Sequence, residues 1–548
     1  MIDILYAGSV SACFELSGDR PYYAEKGYRY TLTQLSGKDR TVQTGEDNRN
    51  VFSAFSLRPS ASYGLKVEYE DGREETAEFK TKAESCAVNV KDFGAAGDGS
   101  SDDTQAIQMA VSMIPPGGRI RFPKGIYITK PLTLKSGITL ELDEKAVLKA
   151  SAIQSDYDII PACVSNLDGG SGLAGEETAG MEVNGTDLKD GGYGEDICFG
   201  TFEGLEQPMY ASLIMGQYVS DVTICGRGTI DGSGPMTGFW KNFSQLPAAR
   251  PRLIMFNGCS NVVLHGVHCC DSSSWHIHPF YSDNISLYDI SVTAHPDSPN
   301  TDAVDPESCR GVNIIGCRFS VGDDCIAIKS GKLELAAKRP RACERITVRN
   351  CLMEFGHGAV TLGSETSSGV KSLNVTRCLF RDTDRGLRIK TRRGRGSSCN
   401  ISDIDFEDIE MDGVKCPVVL NMWYNCCDPD RYSEYVWSRE ALPADDRTPH
   451  LGTFKFSNIR CTGVEYAAAY IDGLPEMPVD SVSFENFSAE YKPDARAGKP
   501  AMRNHAELMC KAGLYFDNVR KVSLKNVSIS GSEGSRIIEK NCGEITEL

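Results

Sequence analysis

The 548 residues contain no run of about 18 consecutive apolar side chains, so no helical membrane span is expected. Residues 1–16, MIDILYAGSVSACFEL, lack a basic n-region and carry Asp3. They read as a strand rather than a secretory leader, and the expected location is the cytoplasm, or outside the cell if an export signal preceded this start. Spaced Cys-x-x-Cys pairs are missing: Cys269/Cys270 and Cys426/Cys427 are direct neighbours, poor geometry for structural zinc. The 21 cysteines are odd in number and scattered, many in strand-like slots such as Cys309, Cys317, Cys351 and Cys378. That pattern fits small buried hydrophobes better than a disulfide framework. Excess positive charge is also lacking. A net charge of −17 argues against non-specific nucleic-acid binding.

What is present fits a folded, water-facing chain with room for two domains: 41% of residues are hydrophobic and 24% charged. Residues 1–84 differ from the rest. Short alternating segments at 28–33, 53–57, 64–69 and 76–81 are separated by turn signals, with Asp71 and Gly72 forming a hairpin turn between the last two. Leu57, Arg58 and Pro59 followed by Tyr63 resemble a tyrosine corner, in which the phenol bonds back to the chain. The segment resembles a fibronectin type III module, a small β-sandwich.

After Cys86 the pattern changes. Asp102 or Asp103 is placed to cap a helix with Ala106, Ile107, Ala110 and Val111 on one face, suited to plugging the open end of an elongated β structure. A motif of apolar-x-apolar-x-(Gly, Asn or Asp) then recurs, as at Val222-Ile224-Gly226, Ile285-Leu287-Asp289, Ile346-Val348-Asn350 and Val522-Leu524-Asn526. Several repeats fall roughly 23 to 34 residues apart, about one solenoid turn. Stacked short strands of this kind make an all-β parallel β-helix, expected over residues 85–548. Two insertions break the rhythm: 166–200 is Gly- and acid-rich and reads as a loop, and 423–449 reads as the rim of a cleft.

The chemistry concentrates at 300–331, NTDAVDPESCRGVNIIGCRFSVGDDCIAIKSG. Asp302, Asp323 and Asp324 sit among Val, Ile, Cys and Ala, where a charge buried without a partner costs several kcal/mol. Asp302 and Asp323 are one short coil apart, which stacks them about 5 Å from each other. Like charges so close push at least one pKa up, placing an acid beside a base. Glycoside hydrolysis needs that pairing. Three aspartates also suit calcium. The cations that come next in the chain, Arg388 and Lys390 on one strand face, compete with a metal but welcome a uronate. They belong to a basic cluster with Arg385, Arg392, Arg393 and Arg395, and His357 stands between two glycines. Asp231 and Asp305 read as turn or ladder residues; Trp275, His276 and His278 suit a cleft floor or a core edge equally.

Four ordered segments, NTDAVD (300–305), GDDCIAIKSG (322–331), GHG (356–358) and RIK (388–390), resemble the polygalacturonases, glycoside hydrolase family 28, from about residue 88 onward. GRGTIDGSG (226–234) and SWHIHP (274–279) add to the resemblance. It implies a right-handed β-helix that hydrolyses α-1,4 links of the galacturonan in pectin with inversion and without a metal or other cofactor. Asp323 is then the general acid, Asp302 and Asp324 activate water, and His357 holds the catalytic carboxylate in its protonation state. Arg388 and Lys390 bind the substrate carboxylate, with Asn300 a further substrate contact. A fibronectin-like module before a β-helix with long insertions resembles the exo-acting, bacterial members. The expected partner is pectic polysaccharide or oligogalacturonide, with no nucleic acid and no membrane. Two departures, Ala303 where glycine is common and AVTLGSET after GHG, leave a related uronate polymer such as rhamnogalacturonan open. A calcium-dependent pectate lyase using Arg388 or Lys390 as base, and a non-catalytic glycan-binding β-helix, are the competing readings.

Overall fold

The computed structural model describes residues 1–18, 20–35, 40–163, 198–241, 243–425, 431 and 433–548. Most of the expected insertion at 166–200, Cys426 and Cys427, and part of the insertion at 423–449 lie outside these residues.

The N-terminal part is two antiparallel sheets. One holds Ile2–Ala7, Ala12–Leu16 and Val51–Ala54; the other runs Arg40–Arg49, Tyr23–Leu35, Ser62–Tyr69, Glu74–Lys80. Alternation fixes which face is buried: in Ser62–Tyr69, residues Tyr63, Leu65, Val67 and Tyr69 turn inward onto Phe14 and Phe52. The Tyr63 hydroxyl accepts a hydrogen bond from the Arg58 backbone N–H at 2.8 Å, which is the corner expected from the sequence. Residues 1–16, read as a strand, form two antiparallel strands, Ile2–Ala7 and Ala12–Leu16.

From Ala87–Asn89 onward the chain winds as a parallel solenoid. Successive strands pair in parallel with their neighbours through Gly118–Phe122, Ile138–Leu142, Ser220–Gly226, Ser260–His265, Asp283–Tyr288, Arg310–Ile315 and Cys343–Arg349, and on to Val519–Ser530 and Glu544–Glu547. The third position of the repeat has a steric reason. Gly266, Asp289, Gly316, Asn350, Asp408, Asn458, Asn486 and Asn526 all have positive φ, the left-handed corner that Gly, Asn and Asp tolerate best. At the later corners the amides bond from coil to coil, Asn458 Nδ2 to Asp408 Oδ1 at 2.9 Å and Asn486 Nδ2 to Asn458 Oδ1 at 2.9 Å.

The helix Thr104–Met113 buries Ile107, Ala110 and Val111 against the first coils. Asp102 accepts from Thr104 N at 3.0 Å. Asp103, the alternative cap, instead holds the N–H groups of Ala96 and Gly97 at 2.6 and 3.0 Å. All 19 described cysteines are free, and most are buried in the coils.

The sandwich packs on the solenoid through charge as well as apolar contact. Glu15, almost fully buried, accepts from Arg349 Nε at 2.8 Å and Asn350 Nδ2 at 2.6 Å, and Arg377 also reaches it. Arg49 meets Asp289 at 2.6 Å.

Candidate active site

The face that carries the chemistry is built from two strand stacks. Ile254–Asn257 and Ile277–Phe280 end one; Ile326–Ile328, Val360–Gly363, Arg385–Lys390 and Cys416–Asn421 begin the other. Between them, residues around Val304 make only isolated bridges, Ile277 to Val304 and Val304 to Ile326. Pro306 has no N–H to give a ladder, and buried carboxylates crowd the segment, so no full strand forms.

The register decides what stacks on what. Val304 opposite Ile326 places Asp302 on Asp324, with Ala303 N bonded to Asp324 O at 3.1 Å. The coil partner of Asp302 is therefore Asp324, not Asp323 as the one-coil spacing suggested; Asp323 occupies the preceding turn. One oxygen from each of Asp302, Asp323 and Asp324 nevertheless lies within 4.8 Å of the others. Asp302 and Asp324 are buried, while the Asp323 side chain keeps 21% of its surface open.

Each carboxylate has a different environment. Asp324 is gripped by Lys390 Nζ at 2.7 Å and Arg388 Nη1 at 3.0 Å. Burial pushes its pKa up, but the two cations outweigh burial and hold it below the usual carboxylate range. Asp302 leaves Oδ1 without a hydrogen-bond partner. Burial, with Asp305 and Asp323 nearby, pushes it well above the ordinary value, against the pull of Lys329. Burial, with neighbouring carboxylates, thus raises Asp302 while two cations lower Asp324, so a carboxyl that favours its proton stands beside one that favours its charge. Asp323 Oδ1 lies 3.2 Å from His357 Nδ1, and this bond raises the imidazole pKa against the effect of burial.

Arg388 and Lys390 share one strand face as expected. Before any substrate enters, both are engaged with Asp324, and Lys390 also lies 5.8 Å from the ring centre of Tyr424. The rest of the basic cluster is not a solvated patch. Arg392, Arg393 and Arg395 are buried, Arg393 against Glu476 at 2.5 Å. Asn300, in a left-handed conformation, accepts from Arg250 Nη2. Arg250 also donates to Ser273 O at 3.0 Å and Pro299 O at 2.9 Å, and its charge faces Asp302 and Asp323. Trp275, His276 and His278 are buried beneath this face rather than exposed as a floor, with His276 Nδ1 2.9 Å from Asp302 O.

Arg250 and the segment 499–504 are contacts that motif reading missed. Arg385 donates to Pro500 O at 2.7 Å and Lys499 O at 2.6 Å, Arg388 Nη2 reaches Met502 Sδ at 3.0 Å, and Asn421 Nδ2 donates to Met502 O at 3.0 Å. No local signal marks these residues, which arrive from more than 100 positions downstream of Arg385. Asp305, set aside as a turn or ladder residue, is fully buried beside Lys329 at 3.4 Å.

The trio of oxygens has the size of a cation site, as does the partly exposed group Asp231, Cys270 and Asp271. With Asp324 already neutralised by two side-chain cations, the trio is better suited to moving protons.

A solenoid that lines up acid, base, histidine and cations on consecutive coils is a carbohydrate-cleaving β-helix enzyme. Residues 199–433 match glycosyl hydrolases family 28, and residues 87–160 match the rhamnogalacturonase A/epimerase, pectate lyase-like family. The chain is similar to the polygalacturonases of glycosyl hydrolase family 28. It is 28% identical over 410 residues to a probable polygalacturonase of Vitis vinifera, covering 73% of each chain. It is 29% identical to an exopolygalacturonase of Arabidopsis thaliana over 62% of this chain and 64% of the relative. Its fold matches a Yersinia enterocolitica family 28 exopolygalacturonase over 99% of this chain and 98% of that one, with 19% identity and a TM-score of 0.68. A Thermotoga maritima exopolygalacturonase gives 0.63 at 24% identity, over 81% and 92%.

Proposed function

We propose that the enzyme hydrolyses α-1,4-galacturonosyl links of galacturonan or its oligomers from chain ends, with inversion. The observation that carries the hydrolytic reading is the meeting of three carboxylates with Arg388, Lys390 and His357 on one face. Asp323 is the one member of the trio whose side chain is open to solvent, so it is the group that hands a proton to the leaving oxygen. Asp302 and Asp324, stacked and deeper, flank the position from which water attacks. Burial and its neighbours favour the protonated form of Asp302, while Lys390 and Arg388 favour the charged form of Asp324, so the pair offers a proton-holding group beside an ionised one. Arg388 and Lys390 supply charge for a substrate carboxylate, which separates a uronate from a neutral sugar.

End-wise action is supported by the segment 499–504, which lies against Arg385, Arg388 and Asn421, where it would limit how far a chain extends past the cations. The relatives that are exopolygalacturonases point the same way.

Burial of Asp302 and the presence of a second carboxylate, Asp324, beside it support inversion.

Incubation with galacturonan and trigalacturonate decides the main points. New reducing ends without ultraviolet-absorbing unsaturated product, unaffected by chelator, are expected; unsaturated product would instead indicate a lyase. Sizing should show one small product, and a ladder would overturn end-wise action. Proton NMR of the first-formed anomer separates inversion from retention.

A further inference from the structure

Behind the catalytic trio lies a second set of charges that the reaction leaves unused. Lys329, in the IAIKSG stretch, is buried with its Nζ 3.4 Å from Asp305 Oδ1, 3.5 Å from Glu365 Oε2 and 4.7 Å from the centre of the Trp275 ring. Strand register explains the gathering. Glu307 bridges to Lys329, Ile328 pairs with Leu362 and Gly363 pairs with Lys390, so Glu307, Lys329, Gly363 and Lys390 succeed one another along one row. The field of Glu365 reaches both lysines.

This cluster is poorly bonded for its depth. Asp302 Oδ1, both oxygens of Asp305, Glu307 Oε1 and Glu365 Oε2 are buried without hydrogen-bond partners. Glu307 Oε2 meets His278 Nε2 at 3.1 Å, and Arg252 lies over the other rings of the cluster, 4.8 Å from Trp275 and 5.0 Å from Phe202. The ammonium stands 3.4 Å from Asp305 and 3.5 Å from Glu365, and its charge also acts on Asp302.

We propose that Lys329 is a positioning residue for the reaction: anchored between Asp305 and Glu365, its ammonium keeps Asp302 able to ionise and so to activate water. The inference rests on the reading of Asp302 as a water-activating carboxylate. The charges facing Asp302 are Asp305, Asp323 and Asp324, which oppose ionisation, and Lys329 and Arg250, which favour it. Those facing Lys329 are Asp302, Asp305, Asp324, Glu307 and Glu365, with His278 also within reach of its charge. Removing the lysine leaves Asp302 among anions, so it stays protonated to higher pH. Removing Glu365 has the opposite sign.

The test is the acid limb of kcat/KM against pH on trigalacturonate. Lys329→Met should move the limb up by about one pH unit, as loss of one close charge does, and Lys329→Arg should restore most of it. Glu365→Gln should move it down. A merely structural lysine would lower activity at every pH and leave the limb in place, and that result in both Lys329→Met and Glu365→Gln overturns the proposal. If Lys329→Met loses its cooperative urea transition, the direction in Glu365→Gln decides alone. A readout without substrate separates this inference from the proposed activity. The protonated-carboxyl infrared band of the free enzyme, assigned to Asp302 by its loss in Asp302→Asn, should shift its midpoint in the same two directions. Absence of hydrolysis by the native enzyme would sink the galacturonan reading alone, and an unmoved infrared midpoint would sink the role of Lys329.

Discussion

Lys390→Met removes one charge while keeping most of the side-chain stem, and the surroundings of Asp324 set the size of the effect. Asp324 is wholly buried, and Lys390 is the nearer of its two cations, at 2.7 Å against 3.0 Å for Arg388. A hydrogen bond to a charged group contributes about 1.5–3 kcal/mol. Lost from the transition state, that is roughly a 10- to 150-fold fall in kcat/KM on trigalacturonate. Arg388 still satisfies Oδ1, so Oδ2 alone loses its partner, and stability should fall by about 1–3 kcal/mol. The pH dependence has a fixed sign. Because the folded pKa of Asp324 is held low, its contribution is present above the unfolded value of about 3.9 and disappears as pH drops through the folded one. Without Lys390 the folded value rises toward the unfolded one, so less stability is lost on acidification and the acid arm of the urea-midpoint curve should become shallower. Separate kcat and KM values, with urea melts from about pH 3 to 7, test both parts. A variant with native kcat/KM and a native acid arm would refute the role assigned to this pair.

Asp323→Asn should cut kcat by at least about 100-fold, the lower range for a lost general acid, while circular-dichroism melting stays near native because the side chain is partly open. Full turnover would reassign the acid. Glu15→Ala should expose the 81–86 connection to limited proteolysis, since two arginines and Asn350 lose a buried acceptor; breaking such a pair costs about 3–5 kcal/mol. An unchanged cleavage rate would show that apolar contact alone holds the sandwich. Burial pushes Asp305 to about 7 and Glu307 to about 8, against Lys329 in both cases. Raised acids favour folding most below their unfolded pKa, and that advantage is lost as pH climbs through about 7 and 8. Asp305→Asn and Glu307→Gln should therefore flatten the decline of the urea midpoint between about pH 5 and 8, and a slope equal to native would contradict those protonation states.

The repeat was legible because the coil corner is a local demand: a left-handed residue recurs once per turn, and Gly, Asn or Asp must fill it. The tyrosine corner and the helix at the solenoid's end were legible for the same reason. Site composition could also be read, since aspartates in an apolar run stand out one by one. Pairing within the site could not. A coil contains loops of unequal length, so counting residues from Asp302 to the Asp323/Asp324 pair leaves an uncertainty of one position, and one position exchanges a buried carboxylate for a half-open one. The fate of the basic cluster was hidden similarly. Arg393 looks like Arg388 until Glu476, 83 residues on, folds back to meet it.

Strand alternation reaches further than the two cations of the groove. The period of two that sets Arg388 and Lys390 on one face of a strand applies equally to Ala327 and Lys329, and no solvated loop separates that lysine from the aspartates. Its partners sit on both sides of it in sequence, Asp305 on the preceding coil and Glu365 on the next one. The break in the strand stack at Val304 makes room for them. A continuous ladder there would demand an N–H where Pro306 has none and would set each carboxylate against a neighbouring strand. Bridging instead at single residues frees the backbone to turn, and four aspartates, two lysines and an arginine come to occupy one short stretch of the helix face. The irregular coil is thus the structural condition for the chemistry, and the regular coils on either side supply the burial that makes its charges interact strongly.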